Sequence, residues 1–185
     1  MTTVTAPDVV TTNWKIDPVH SSAQFKVKHL MISNVKGEFT GITGSLKFDG
    51  TDVSQSSVEA SIDATTINTR DPQRDAHLKS PDFFDADKFP TLSFKSTKVS
   101  KKSDGEFAVA GELTIHGNTR NVVFDVEDLS APAKDPWGNM RLGLSATTRI
   151  NRKDFGLTWN AALETGGIMV GDDVTITLDV QFVKV

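Results

Sequence analysis

The stretch FAVAGELTIHGNTRNVVFDV, residues 107–126, decides the fold class of this chain. It contains two runs in which apolar and polar residues alternate, and the turn sequence His116-Gly117-Asn118 separates them. Alternation with a period of two is typical of a β-strand that buries one face. Two such strands joined by a short turn predict an antiparallel hairpin.

The same alternation recurs on both sides of this hairpin. Together with the hairpin it predicts about eight strands, and the other apolar faces fall within residues 23–29, 35–48, 58–64, 92–99, 142–150 and 174–182. Long helical patterns do not alternate with these strands, which argues against a parallel α/β sheet. A closed up-and-down barrel of about eight strands has no free edge, and its interior has room for side chains or one small ligand. We therefore expect a mainly all-β fold, an antiparallel eight-stranded β-barrel.

Residues 69–90, TRDPQRDAHLKSPDFFDADKFP, interrupt this alternation near the middle of the chain. Asp71-Pro72 and Ser80-Pro81 are both strong helix starts, because Asp or Ser caps the first turn and Pro fits its first position. They predict a helix over about residues 72–79 and a second short turn over about residues 81–86. One or two short helices therefore cap the predicted barrel.

The charged residues of this segment suggest two roles. Arg70, Arg74 and the positive end of the helix would suit an anion such as a phosphate. Alternatively, Asp71 and Asp75 pair with the two arginines and cancel that site. The aromatic residues that follow either plug one end of the barrel or contact a ligand, and these two roles are compatible; they are Phe83, Phe84, Phe89 and Phe94.

Composition restricts the classes of function. A formal net charge of −4 provides no overall positive field to attract nucleic acid or an anionic membrane. No apolar run approaches the roughly 20 residues of a membrane helix, so no membrane insertion is expected. The chain has no cysteine, which excludes disulfides, thiolate metal sites and a cysteine nucleophile.

The N-terminal residues carry neither the basic nor the apolar segment of a secretory signal peptide, so we expect a cytoplasmic protein. Residues 1–12 are interpreted as a disordered lead-in and residues 13–185 as a single domain. The four histidines have no metal-ligand spacing, and no GxSxG, P-loop or GxGxxG motif is present, so neither a metal nor another cofactor is predicted. His29 is in phase with the apolar face of its strand, where it is either a buried, hydrogen-bonded histidine or a polar contact in a cavity.

Several inward-phase positions carry small residues. They either fit the taper of a packed barrel or leave a cavity, and the sequence favours neither. These positions are Ala23, Gly37, Ala60, Ala64, Gly111 and Ala146.

A set of motifs in consistent order resembles the YceI-like family of polyisoprenoid-binding proteins. The motifs are WKIDPVHSSAQF at 14–25, VKH at 27–29, GEF at 37–39, RDAHLKSPDFF at 74–84 with Arg70 before it, FP at 89–90, GELTIHG at 111–117, NRKDFGL at 151–157 and VGDDV at 170–174. The resemblance implies a lipocalin-like barrel with an elongated apolar cavity. It implies a non-covalently bound isoprenoid lipid, such as a polyprenyl phosphate or a quinone-type lipid, and a homodimer.

The resemblance and the strand phases together predict the residues of the binding site. The apolar cavity is predicted to be lined by Phe25, Val27, His29, Val35, Phe39, Ile62, Phe83, Phe84, Phe94, Leu113, Ile115, Leu144, Phe155 and Trp159. Arg70, Arg74 and His77 are the candidates for binding the lipid head group.

Three functions are compatible with this sequence. The first is a protein that binds and sequesters or carries a long-chain isoprenoid lipid without catalysis. The second is an enzyme that acts on a lipid or a small apolar substrate with His29 or His77 as acid/base, although no triad or metal signature supports it. The third is a structural or partner-binding domain whose barrel is filled with side chains.

Overall fold

The structure, a computed structural model, describes residues 10–185, which form twelve strands and one α-helix. The strands are β1 Thr11–Ile16, β2 Ser22–His29, β3 Ser33–Phe39, β4 Ile42–Asp49, β5 Ser57–Asp63, β6 Ile67–Asn68, β7 Thr91–Ser103, β8 Glu106–Ile115, β9 Asn118–Glu127, β10 Ala133–Lys134, β11 Met140–Asn151 and β12 Val170–Lys184; the helix is α1 Pro72–Lys79.

Eight of these strands close into an antiparallel barrel. The order around the ring is β1, β4, β5, β7, β8, β9, β11 and β12, and pairing of β12 with both β11 and β1 closes it. The central hairpin of β8 and β9 pairs from Phe107↔Val126 to Ile115↔Asn118. His116 and Gly117 both have positive φ in its turn, which suits the right-handed twist of a hairpin. The predicted eight-stranded barrel is confirmed.

At three places in the barrel wall, two consecutive strands lie end to end. β1 and β2 both lie along β12, and the chain leaves the ladder between them at Asp17-Pro18, where Pro18 has no amide hydrogen to donate. β3 and β4 also lie end to end, with β3 paired to β2 and β4 paired to β1. β5 and β6 do the same, with β5 paired to β4 and β6 paired to β3. The short sheet of β2, β3 and β6 therefore extends the wall at one end.

We call this end the cap end, because residues 69–90 and 156–169 close over it. The ring centroid of Trp159, in the second segment, lies 4.9 Å from the ring centroid of His77 and 5.3 Å from that of Phe83. The far end carries the first described strand and the C-terminus, where the Val185 amide donates to the Asn13 carbonyl at 2.9 Å.

The α-helix begins and ends where the sequence predicts. The Asp71 carboxylate accepts hydrogen bonds from the amides of Gln73 and Arg74 at 3.0 and 3.2 Å, and Pro72 occupies the first turn. Residues 81–84 form a turn rather than a second helix. One short helix therefore caps the barrel.

The predicted lead-in over residues 1–12 lies mostly outside the described residues. Its last two residues belong to β1, where Thr11 pairs with Asp49 and Thr12 with Phe48. Trp14 of β1 is among the largest fully buried side chains of the core, which is formed by the inward-facing side chains of all the long strands. The ordered barrel therefore begins by Thr11, two residues before the predicted boundary.

Candidate functional site

An apolar cavity of ≈ 250 Å³ runs through the barrel. Val53 and Leu129 line it at the far end, whereas Leu78 and Val170 line it at the cap end. Val170 and Phe182 of β12 both line the cavity. At roughly 3.3 Å per residue, the strand between these two residues is about 40 Å long. A strand tilt near 40° leaves about 30 Å along the axis, which is roughly the thickness of a bilayer's hydrocarbon core.

Ten of the fourteen predicted cavity residues lie on this wall. They are Phe25, Val27, Phe39, Ile62, Phe83, Phe84, Phe94, Leu113, Ile115 and Leu144. They come from β2, β3, β5, β7, β8 and β11 and from the cap segment, so the inward phase read from the alternation places them together. Their contact with a ligand stays a prediction.

The other four predicted cavity residues lie elsewhere. Phe155 is only 1% exposed, in a tight turn after β11, and it packs into the cap-end core. Trp159 packs on the cap against His77 and Phe83. His29 and Val35 belong to the end of the β2–β3 hairpin, which extends beyond the closed ring, so neither reaches the cavity.

Two of the small inward positions are explained by packing. A Cβ atom on Gly37 would lie 2.4 Å from the Phe25 ring, and one on Gly111 would lie 2.5 Å from the Phe94 ring. Both phenylalanine rings therefore turn inward over a glycine on the neighbouring strand. Ala23, Ala60 and Ala146, by contrast, line the cavity itself.

The predicted anion site at the start of α1 is occupied by the protein's own groups. The Asp71 carboxylate takes the free amides of the helix N-terminus. The Arg74 guanidinium donates to the Thr69 hydroxyl at 2.8 Å and to the Thr69 carbonyl at 2.7 Å. Asp75 accepts from the amide and hydroxyl of the same threonine, so the expected pairing of both aspartates with the arginines is wrong.

The two other head-group candidates also lie outside the cavity wall. Arg70 is exposed, with a φ of 65°. His77 points to Asp82, whose carboxylate lies 2.9 Å from the imidazole Nε2, and its ring meets Trp159 edge-on. His77 therefore contributes to the packing of the cap, and neither side chain lines the cavity.

Arg152, which the sequence reading did not select, is the one charged residue on the cavity wall within the described range. Its guanidinium is buried and donates from Nε to the Gly171 carbonyl at 2.8 Å and from Nη1 to the Leu157 carbonyl at 2.6 Å. Asp172 lies 3.9 Å away. Burial lowers the pKa of Arg152, and the charge of Asp172 partly opposes this shift.

A signal for Arg152 is present in the sequence. The inward phase of β11 falls on even numbers from Leu142 to Ile150, and one further step reaches position 152. An arginine in that phase breaks an otherwise apolar face, which marks it as a candidate contact inside the barrel. It was missed because position 152 lies beyond the last residue of the predicted strand face, Ile150.

Residues 10–185 contain neither a metal-binding cluster nor a helix that could span a membrane. No group of three or more His, Asp or Glu side chains in this range could hold a metal ion. Among the described elements, α1 is too short and too polar to cross a bilayer.

The fold and the cavity define a closed antiparallel β-barrel with an apolar interior, the architecture in which lipocalins hold one small ligand. The chain belongs to the YceI-like family, because the family model described as "YceI-like domain" matches residues 14–182. A UPF0312 protein of Staphylococcus aureus is 41% identical over 172 residues, covering 92% of this chain and 97% of the relative. One of Vibrio cholerae is 41% identical over 138 residues, covering 75% and 72%.

Solved structures share the fold. The YceI protein of Campylobacter jejuni matches 85% of this chain and 90% of its own, with a TM-score of 0.71 and 32% identity. BcnA of Burkholderia cenocepacia covers 90% and 98%, with a TM-score of 0.79 at 22% identity. A polyisoprenoid-binding domain from Saccharophagus degradans covers 93% and 98%, with a TM-score of 0.66 at 13% identity, which supports the fold alone.

Proposed function

We propose that this protein binds one long-chain isoprenoid lipid in its barrel and sequesters or carries it without chemical change. The apolar cavity that spans the barrel from Val53 to Val170 is the observation that carries the proposal. The polyisoprenoid-binding domain of Saccharophagus degradans shares this fold, and a ligand of the same class would suit the apolar cavity.

The energetics of the cavity favour an occupant. Protein interiors are close-packed, and an unfilled apolar void costs roughly 24 cal/mol per Å³. A void of ≈ 250 Å³ would therefore cost about 6 kcal/mol, which is comparable with the whole stability of many domains. An apolar chain removes this cost and gains about 25 cal/mol for each Å² that leaves water.

Arg152, at the cap end, is the one charged residue on the cavity wall within the described range. A phosphate oxygen and a quinone carbonyl both accept hydrogen bonds, and a guanidinium has five N–H donors. Arg152 uses some of these donors on backbone carbonyls, and its Nη2 reaches the Val170 carbonyl only at 3.4 Å. We propose Arg152, rather than Arg70, Arg74 or His77, as the group that orients the lipid head.

A cavity-blocking variant tests this proposal. Ala146 lines the cavity on β11, so Ala146→Phe places a ring where the lipid chain would lie, whereas Thr147→Phe on the same strand adds the ring outside. Organic extraction and mass spectrometry of protein purified from bacterial cells should find isoprenoid lipid in the wild type and in Thr147→Phe. The amount of isoprenoid lipid extracted from Ala146→Phe should be at least about tenfold lower than the wild-type amount.

The folding of each variant is checked by circular dichroism and a cooperative denaturation curve. Wild-type protein that is folded but yields no isoprenoid lipid would overturn the proposal. So would a folded Ala146→Phe variant that retains the wild-type amount.

The catalytic alternative has weaker support. His77 has an oriented carboxylate partner in Asp82, but both side chains face solvent on the cap and not the cavity. His29→Ala and His77→Ala should therefore leave lipid binding close to that of the wild type, whereas loss of a turnover activity in either variant would favour an enzyme. Homodimerisation and a cytoplasmic location stay predictions.

A further inference from the structure

The turn between β2 and β3 projects an apolar tip at the cap end. Met31 is 53% exposed and Ile32 is 80% exposed, whereas most large apolar side chains of the barrel face inward. Leu30 and Met31 both have positive φ, at 51° and 62°, a conformation that is uncommon for residues of this size. The backbone is therefore held in an unfavourable conformation while two apolar side chains face water.

Three lysines lie on the outer face of the same hairpin. Lys26 and Lys28 alternate with the inward Phe25 and Val27, and Lys36 lies directly opposite Lys26 on β3. Like charges directly opposite one another destabilise a strand pair. Within residues 10–185 none of the three lysines makes an ion pair.

The carboxylates on the neighbouring strand do not neutralise this hairpin. Asp172 is 3.1 Å from the amino group of Lys153, and Asp173 pairs with Arg149. Beside Lys26, β12 presents the uncharged Thr175. Glu38 shares this outer face, so three lysines against one carboxylate leave the hairpin a local positive charge beside its apolar tip, on a chain whose overall charge is −4.

The tip adjoins the loop that closes the cavity. The Leu30 amide donates to the Met169 carbonyl at 2.8 Å, one residue before Val170 on the cavity wall. Gly167 of the same loop lies against Met31, since a Cβ there would be 3.4 Å from the Met31 Cγ. Whatever contacts the tip also lies beside the cap.

We propose that this tip, defined as residues 30–33 together with Lys26, Lys28 and Lys36, docks the protein on an anionic lipid bilayer. Met31 and Ile32 enter the headgroup region, and the lysines contact lipid phosphates while their aliphatic stems lie along the interface. Two amides of the turn are already bonded, Leu30 to Met169 and Ile32 to His29 at 3.1 Å, so entry leaves them satisfied. The docking is peripheral and independent of what fills the barrel.

A second copy of the chain fits this surface less well. Symmetric self-association through the tip would bring the unpaired lysines of one hairpin against those of the other. Two exposed apolar side chains also supply far less than the roughly 800 Å² per partner that a stable interface buries. An anionic bilayer matches both the charge and the small apolar area.

Cosedimentation with vesicles tests the proposal. Wild-type protein should bind vesicles that contain phosphatidylglycerol and not vesicles of phosphatidylcholine alone, and added salt should release it. Met31→Ser with Ile32→Ser should weaken this binding by about tenfold, and Lys26→Gln with Lys36→Gln by a similar factor. Trp137→Ser, which removes an 82% exposed apolar side chain at the far end, should have no effect.

Two further measurements separate the possible outcomes. Lys36→Gln removes a like-charge contact, so it should be at least as stable as the wild type while binding vesicles less. Ala146→Phe should bind vesicles normally, so failure of docking and failure of cavity binding are distinguishable. Unchanged vesicle binding in the Met31/Ile32 variant would overturn the proposal, and so would a dimer that this variant converts to a monomer in light scattering.

Discussion

The two ends of the barrel are closed by different forces. At the cap end, residues 69–90 and 156–169 meet mainly through rings, with Trp159 against His77 and Phe83, over a cavity mouth lined by Leu78 and Val170. At the far end, charges and turn hydrogen bonds hold the loops. The cap end is therefore covered by two loops that contact each other through aromatic rings, whereas the far end is closed by ion pairs and hydrogen bonds.

The far end is tied together by Arg141. Its guanidinium donates to Asp17 at 2.7 Å and to Asp135 at 2.6 Å, which joins the β1–β2 connection to the loop before β11. Hydrogen bonding to Arg141, with a smaller contribution from His20, lowers the pKa of Asp17 to about 2. The buried Asp49 carboxylate likewise accepts from the amides of Thr51 and Asp52.

The difference indicates where ligand exchange would occur. Aromatic contacts between two loops can separate without leaving charges unpaired, whereas opening the far end would break the partly buried ion pairs of Arg141. The cap end also carries the tip proposed to dock on lipid. We therefore expect the cap end to open and the far end to stay closed.

The largest effect is expected from the buried cation that anchors the cap-end loops. Arg152→Met leaves the Gly171 and Leu157 carbonyls without their donors, so the free energy of unfolding should fall by about 3 kcal/mol. Chemical denaturation measures it. Arg149→Met is the matched control near the end of β11, where an exposed pair with Asp173 should contribute less than about 1 kcal/mol. Equal losses in both variants would contradict the role given to Arg152.

An intermediate effect is expected from the aromatic contact of the cap. Trp159→Ala removes the ring that packs on His77 and Phe83, so it should cost about 1–2 kcal/mol and loosen the cap. Hydrogen–deuterium exchange should accelerate in residues 72–84 and 157–169 and not in the long strands. Trp137→Ala at the far end serves as the control, and faster exchange throughout the barrel would argue against a separable cap.

The smallest effect is expected at the far end. Arg141→Gln should cost about 1 kcal/mol near neutral pH and leave cap exchange unchanged. Because hydrogen bonding to Arg141 lowers the pKa of Asp17 from its ordinary value of 3.8 to about 2, its contribution is present above pH 3.8 and is lost as the pH falls towards 2. Thermal denaturation should therefore show a shallower loss of stability in this window for Arg141→Gln than for the wild type or for Arg120→Gln. Parallel curves for all three proteins would contradict the assignment.

The alternating pattern predicted most of the barrel because each wall strand buries one face. The helix Pro72–Lys79 was predictable from its Asp71-Pro72 start. The strand β1 was missed because TTNWKI is short and follows residues without a pattern.

Contacts across the fold were harder to predict than its elements. Arg141 and Asp17 are 124 residues apart and meet only once the barrel closes. Composition also cannot tell whether a helix N-terminus binds an outside anion or, as here, the protein's own Asp71, so the anion site at Arg70 and Arg74 stays a prediction. Arg152 was predictable in principle, by extending the phase of β11 by one step.

Native mass spectrometry of the protein as purified from bacterial cells tests the central claim most directly. We predict a population heavier than the bare chain by the mass of one isoprenoid lipid, present in Thr147→Phe and lost in Ala146→Phe. A folded wild-type protein that appears only at the mass of the bare chain would contradict the account.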